Sequence, residues 1–130
     1  MRVLLADDQV QVRSALRKLL KHRLNMRVVG EAFDTDSLRA ELEITRPDLL
    51  LLDWGVLGIH PSEALPALHA RYPLLRVIVM SGYPEVRRAA MAAGADAFVS
   101  KSDPPEQLLS ALKEVSSEGG ESGVLLHSRA

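Results

Sequence analysis

Two stretches of this chain, Leu49–Leu52 and Val77–Met80, are apolar at every position. That pattern suits strands covered by helices on both faces, and it is the signature of a parallel sheet at the centre of an α/β domain. Five strand-like runs can be read, at Arg2–Ala6, Met26–Glu31, Asp48–Trp54, Arg76–Met80 and Ala97–Ser100. Helical patterns separate them. Val12, Ala15, Leu16, Leu19 and Leu20 follow the i, i+3, i+4, i+7, i+8 spacing of an amphipathic helix, with Arg13, Arg17, Lys18 and Lys21 on its other faces. Leu38 and Leu42 mark a second helix, opened by Asp34 or Asp36 as N-cap and finished before Pro47, because a residue preceding proline avoids the α region. A third lies near Ser62–Tyr72 and should be interrupted by Pro66, which lacks an amide proton, unless that proline falls in the first turn. Val86, Ala89, Ala90 and Ala93 mark a fourth, stopped by Gly94 in a left-handed conformation. The fifth carries a capping-box pattern, with Asp103 as N-cap, Pro104 at N1 and Glu106 at N3, ahead of Leu108, Ala111, Leu112 and Val115. This alternation predicts βαβ units with right-handed crossovers.

The length of 130 residues fits one domain with a single core system. Sixteen basic and seventeen acidic residues give a formal net charge of -1, so no overall field favours nucleic acid or an anionic membrane, and direct nucleic-acid binding by this chain is disfavoured. The absence of cysteine excludes disulfides, thiolate metal sites and cysteine nucleophiles. No apolar stretch is long enough to span a bilayer, and acid follows the N-terminus too early for a signal peptide, which together predict a cytoplasmic protein. After Val115 the composition turns to SSEGGESG, and the boundary is drawn there: a folded domain over residues 1–116, then a flexible linker or C-terminal tail over 117–130.

Four of the apolar runs end on chemically useful side chains. RVLLA leads into Asp7 and Asp8, DLLLL into Asp53, RVIVM into Ser81 and AFVS into Lys101. Open α/β sheets bind ligands at the carboxyl ends of their strands, so these groups are expected to share one crevice. Three carboxylates suit a divalent cation, and a lysine with a hydroxyl suits a phosphoryl group. An unpaired charge after four leucines is costly, which singles out Asp53. His22, His60, His69 and His127 show no spacing for a metal site, and Trp54 reads as packing beside the crevice.

In this order and on these elements, the quoted residues resemble the receiver domain of bacterial two-component response regulators, from Arg2 to about Val115. The resemblance implies a flavodoxin-like (βα)5 fold, a three-layer sandwich with a five-stranded parallel sheet in the order 2-1-3-4-5. It implies that Asp53 is the phosphoacceptor for a sensor histidine kinase, and that Asp8, Asp53 and the Gly55 carbonyl bind Mg2+, with Asp7 acting mainly through water. Lys101 and Ser81 would contact the phosphoryl oxygens, and Phe98 would be an aromatic switch that turns inward when Ser81 is drawn to the phosphate, altering the face of the fourth helix, fifth strand and fifth helix. Such a domain catalyses its own phosphorylation and dephosphorylation and is otherwise not an enzyme. The segment KSDPPEQLLSALKEV is similar to the branch whose receivers precede a helix-turn-helix output domain, for which transcriptional signalling and dimerisation on phosphorylation are implied.

The sequence departs from the family pattern in places. Leu57 and Pro61 stand where a proline and a glycine are usual after the phosphoacceptor, and Ser102 replaces a proline after Lys101, which makes a cis peptide there improbable. An atypical receiver that binds partners without phosphorylation is therefore the alternative reading. A small aspartate-nucleophile phosphatase fits less well, because Gly55 stands where such enzymes carry a second aspartate and no cap insertion is present.

Overall fold

The computed structural model describes residues 1–122. Its sheet has five parallel strands, β1 (Arg2–Ala6), β2 (Arg27–Ala32), β3 (Leu49–Asp53), β4 (Arg76–Ser81) and β5 (Ala97–Ser100), in the order β2-β1-β3-β4-β5. The crossovers are α1 (Val10–Leu19), α2 (Thr35–Thr45), α3 (Pro61–Arg71) and α4 (Val86–Ala92), and α5 (Pro105–Ser122) follows β5. The fold is the flavodoxin-like sandwich that alternation and resemblance both predicted.

Alternate side chains on each strand feed two cores. Leu4, Leu50, Leu52, Val77 and Val79 pack with Leu38, Leu42, Leu65 and Ala90 of α2, α3 and α4. Val3, Leu5, Leu49, Leu51, Ile78 and Met80 pack with Leu16, Leu108 and Leu112 of α1 and α5 on the opposite face. Leu49–Leu52 have no solvent exposure, which is why β3 tolerates no polar residue until its last position. At about 2 kcal/mol for each fully buried leucine, this strand is a principal anchor of the sheet.

Several boundaries differ from the sequence expectation. Helix α1 runs into a five-residue π-helical turn, Leu20–Leu24, closed by left-handed Asn25 at φ 53°. Helix α2 uses Asp34 as N-cap, with Asp34 accepting from the Ser37 amide, and ends on left-handed Arg46 before Pro47. Pro66 interrupts nothing: α3 begins at Pro61, five residues earlier, and carries Pro66 in its second turn on an exposed face. Only the bond from residue 66 to the Ser62 carbonyl is forgone, and buried Leu65 holds the helix across it. Gly94 ends α4 at φ 107° as expected.

The capping box at Asp103 is absent. Helix α5 starts at Pro105, and the Asp103 carboxylate turns back to accept from the Ser100 amide at 3.0 Å. Helix α5 also continues through Gly119 and Gly120 to Ser122, six residues past the domain end expected at 116, while 123–130 of the expected tail lie outside the described residues. No helix among the described residues is long and apolar enough to cross a membrane.

Candidate functional site

The carboxyl ends of β1, β3, β4 and β5 form one edge of the sheet, and the strand-end groups meet there. One carboxylate oxygen from each of Asp7, Asp8 and Asp53 lies within 4.8 Å of the others. Asp7 is fully buried, Asp53 half-buried and Asp8 exposed, so the cluster opens toward solvent on the Asp8 side. The Lys101 ammonium stands 2.6 Å from Asp7 Oδ2 and 3.3 Å from Asp53 Oδ1. Asp7 Oδ1 accepts from the Gln9 amide at 3.0 Å, and the buried Oδ2 meets the Lys101 ammonium.

Burial pushes the Asp53 carboxyl up, and the negative charges of Asp7 and Asp8 add to that rise against the pull of Lys101. Burial works against the charged Lys101 amine, yet the Asp7 and Asp53 carboxylates overcome it and raise its pKa. A cluster with one cation for three acids has an excess of negative charge, and its carboxylate oxygens keep coordinating capacity for a further cation. Oxygen donors in this number and charge fit Mg2+.

Backbone contacts hold each side chain in place. The Lys101 amide donates to the Ser81 carbonyl at 2.8 Å, and Asp103 closes the next turn by pairing both its amide and its carboxylate with Ser100. The Lys101–Ser102 peptide is trans, as are all others among the described residues. Arg13 of α1 donates to the Asp7 carbonyl at 2.7 Å and to Glu31 at 2.7 Å, tying the ends of β1 and β2 to that helix. The helical spacing places Arg13 only on a face of α1 other than the apolar one, and it gives no sign of these bonds.

Gly55 lies beside the acids in a 3-10 turn, Trp54–Leu57; a Cβ at Gly55 would stand 3.6 Å from Asp53 Oδ2. It lines a cleft of about 200 Å³ with Asp8, Phe33, Asp34, Thr35 and Val56. Ser81 is buried, and its Oγ accepts from the Tyr83 amide at 3.0 Å, leaving the hydroxyl proton available to another acceptor. The Phe98 side chain is inside, 6% exposed, with the Arg87 guanidinium 4.9 Å above its ring.

A doubly wound domain with an acidic pocket and one facing lysine at its strand ends defines a phosphoryl-handling scaffold. A family model, the response regulator receiver domain, matches residues 3–113, and the chain belongs to that family. It is similar to the transcriptional activator protein ExaE of Pseudomonas putida, at 33% identity over 88% of this chain and 55% of the relative. It is also similar to the nitrate/nitrite response regulator protein NarL of Escherichia coli, at 32% identity over 86% of this chain and 53% of the relative. The chain thus spans about half the length of these relatives.

Among solved structures, the isolated REC domain of RcsB from Salmonella enterica serovar Typhimurium, in the presence of phosphomimetic BeF3-, matches with a TM-score of 0.80 at 25% identity, covering 90% of this chain and 88% of that one. A two-component response regulator of the LuxR family from Aurantimonas sp. SI85-9A1 matches with a TM-score of 0.77 at 26% identity, covering 95% and 97%. This protein is a receiver domain of the two-component response regulators.

Proposed function

We propose that Asp53 accepts a phosphoryl group from a phosphohistidine of a sensor histidine kinase, with Mg2+ held by Asp8 and Asp53, Asp7 acting mainly through water, and the Gly55 carbonyl completing the protein ligands. The observation that carries this reading is the convergence of Asp7, Asp8 and Asp53 within 4.8 Å, faced by Lys101. A carboxylate oxygen of Asp53 attacks phosphorus, the P–N bond breaks, the imidazole departs, and an acyl phosphate remains. Bound Mg2+ supplies the positive charge that lets an anionic nucleophile approach an anionic phosphoryl group. Lys101 pairs with the phosphoryl oxygens, and the Ser81 hydroxyl donates its free proton to one of them.

The consequence for output is a change at the face of α4, β5 and α5, transmitted through Ser81 and the loop to Tyr83. Likeness to transcriptional regulators of twice the length supports a role in transcriptional signalling through a separate DNA-binding part, with dimerisation on phosphorylation. A cytoplasmic setting, and no enzymatic activity beyond its own phosphorylation and dephosphorylation, accord with that reading.

Incubation with acetyl phosphate and Mg2+, read by intact mass, is expected to add one phosphoryl group to the protein and none to Asp53→Ala. A wild-type protein that takes up no phosphoryl group under these conditions leaves the atypical receiver, a partner-binding module without phosphorylation, as the better account.

A further inference from the structure

The turn that follows Asp53 is poorly held by its own backbone. Its N-terminal residue makes no side-chain capping bond, and its closing bond, from the Gly58 amide to the Gly55 carbonyl, is 3.3 Å long, near the limit of a hydrogen bond. Gly58 then leaves at φ 90°, where only glycine is comfortable. The family's usual proline and glycine are replaced here by Leu57 and Pro61, so rigidity must come from elsewhere.

One source is in α2. The Thr35 hydroxyl donates to the Val56 carbonyl at 2.8 Å, across the cleft that Asp8 and Gly55 line. Thr35 is itself fixed in place, because the preceding residue, Asp34, and Ser37 cap the helix reciprocally. Val56 and Leu57 bury their side chains at 4% and 6% exposure, so the turn is pinned by packing below and by this single side-chain bond at its carbonyl. Without the bond, the Val56 carbonyl loses its partner and the turn is held only by its packing and its own weak closing bond.

We infer that Thr35 is a positioning residue for the metal and phosphoryl site: it fixes the peptide after Val56, and thereby the turn that carries Gly55 beside the acid cluster. This inference rests on the reading of Asp7, Asp8 and Asp53 as a Mg2+ site. Its action is indirect, since the Thr35 hydroxyl bonds a backbone carbonyl of the turn and not an acid, and it places the control of metal affinity partly in helix α2.

The test is a Mg2+ titration followed by Trp54 fluorescence, with circular dichroism and the thermal midpoint recorded for each protein. Thr35→Val keeps the shape and removes the donor, so Mg2+ binding is expected to weaken about tenfold, the size typical of an orienting partner of a metal ligand. Thr35→Ser keeps the donor and is expected to bind within about twofold of wild type, against the loss on removing the orienting bond. A folded Thr35→Val protein with wild-type affinity overturns the role of Thr35, as does a folded Thr35→Ser protein as weak as the valine variant. Should the valine variant fail to fold, Thr35→Ala, which also removes the donor, takes its place, and wild-type Mg2+ affinity in it overturns the role of Thr35. A wild-type protein with no Mg2+ response and no phosphorylation overturns the underlying site assignment instead, so the two failures are distinct.

Discussion

The Lys101 ammonium lies closer to Asp7 than to the proposed phosphoacceptor, at 2.6 Å against 3.3 Å. Asp7 has no solvent exposure and Lys101 is 24% exposed at its side chain, so the lysine serves first as the counter-ion of a buried acid. Its engagement of a phosphoryl group on Asp53 then requires that another positive charge take over at Asp7.

Removal of this lysine should therefore be felt before any chemistry. Lys101→Met leaves Asp7 buried and uncompensated, and is expected to destabilise the metal-free protein by about 2–3 kcal/mol, somewhat below the cost of breaking a fully buried pair because the lysine is partly wet. Mg2+ should restore much of the loss. Urea denaturation with and without the cation checks both statements, and an unchanged midpoint would show that Asp7 does not depend on the lysine as its counter-ion.

Asp53 poses the opposite case. Burial raises its pKa, so its ionised form opposes folding at neutral pH, and Asp53→Asn is expected to raise the thermal midpoint of the metal-free protein. The same variant should lose most of the stabilisation by Mg2+, which in wild type is about 2.7 kcal/mol at a hundredfold excess over Kd. Paired thermal scans resolve the two effects, and an Asn variant still stabilised fully by Mg2+ would remove Asp53 from the ligand set.

Part of the acid limb of stability is predicted to belong to Glu31, alongside Asp34 and Glu43, whose carboxyls the Ser37 and Tyr72 hydrogen bonds also hold down. Burial alone would raise the Glu31 carboxyl, but the hydrogen bonds and charges of Arg13 and Arg17 outweigh that and hold it below its ordinary value of 4.5. A depressed folded pKa contributes stability that is present above that value and is lost as pH falls through the folded one. Asp53 has the opposite sign, and its protonation partly offsets the loss. Glu31→Gln should cost about 1 kcal/mol at neutral pH and flatten the decline below pH 4.5, as read from urea midpoints across the acid range. An unaltered acid limb would assign the decline to other carboxylates.

Pro66 offers a gain. It occupies an exposed position inside α3, where an alanine would restore an N–H donor for the Ser62 carbonyl and is a better helix former. Pro66→Ala is expected to stabilise by about 1–2 kcal/mol, less than the full interior penalty because proline also restricts the unfolded chain. A thermal melt is sufficient to check it, and a lower midpoint would mean that the helix is shaped to need the proline.

The legible parts of this protein were those in which one local pattern had one physical solution. Leu49–Leu52 and Val77–Met80 could only be strands covered on both faces, and with the strand ends fixed, Asp7, Asp8, Asp53, Ser81 and Lys101 had to share an edge. Local signals misled where a tertiary partner competed. Asp103 and Glu106 spell a capping box, yet the Asp103 carboxylate is taken by the Ser100 amide in the turn that carries Lys101. Pro66 reads as a breaker, yet packing of Leu65 exceeds the cost of one missing bond. Contacts such as Thr35 to Val56, or Arg13 to the Asp7 carbonyl, join residues with no periodic relation, and no pattern in the chain announces them.

The inward ring of Phe98 carries a last consequence. An aromatic ring seated beneath Arg87 couples α4 to β5, since moving the ring outward would break the contact with the guanidinium and wet an apolar face. Any rearrangement of this face must therefore carry the arginine and the ring together, and shortening Arg87 would loosen both.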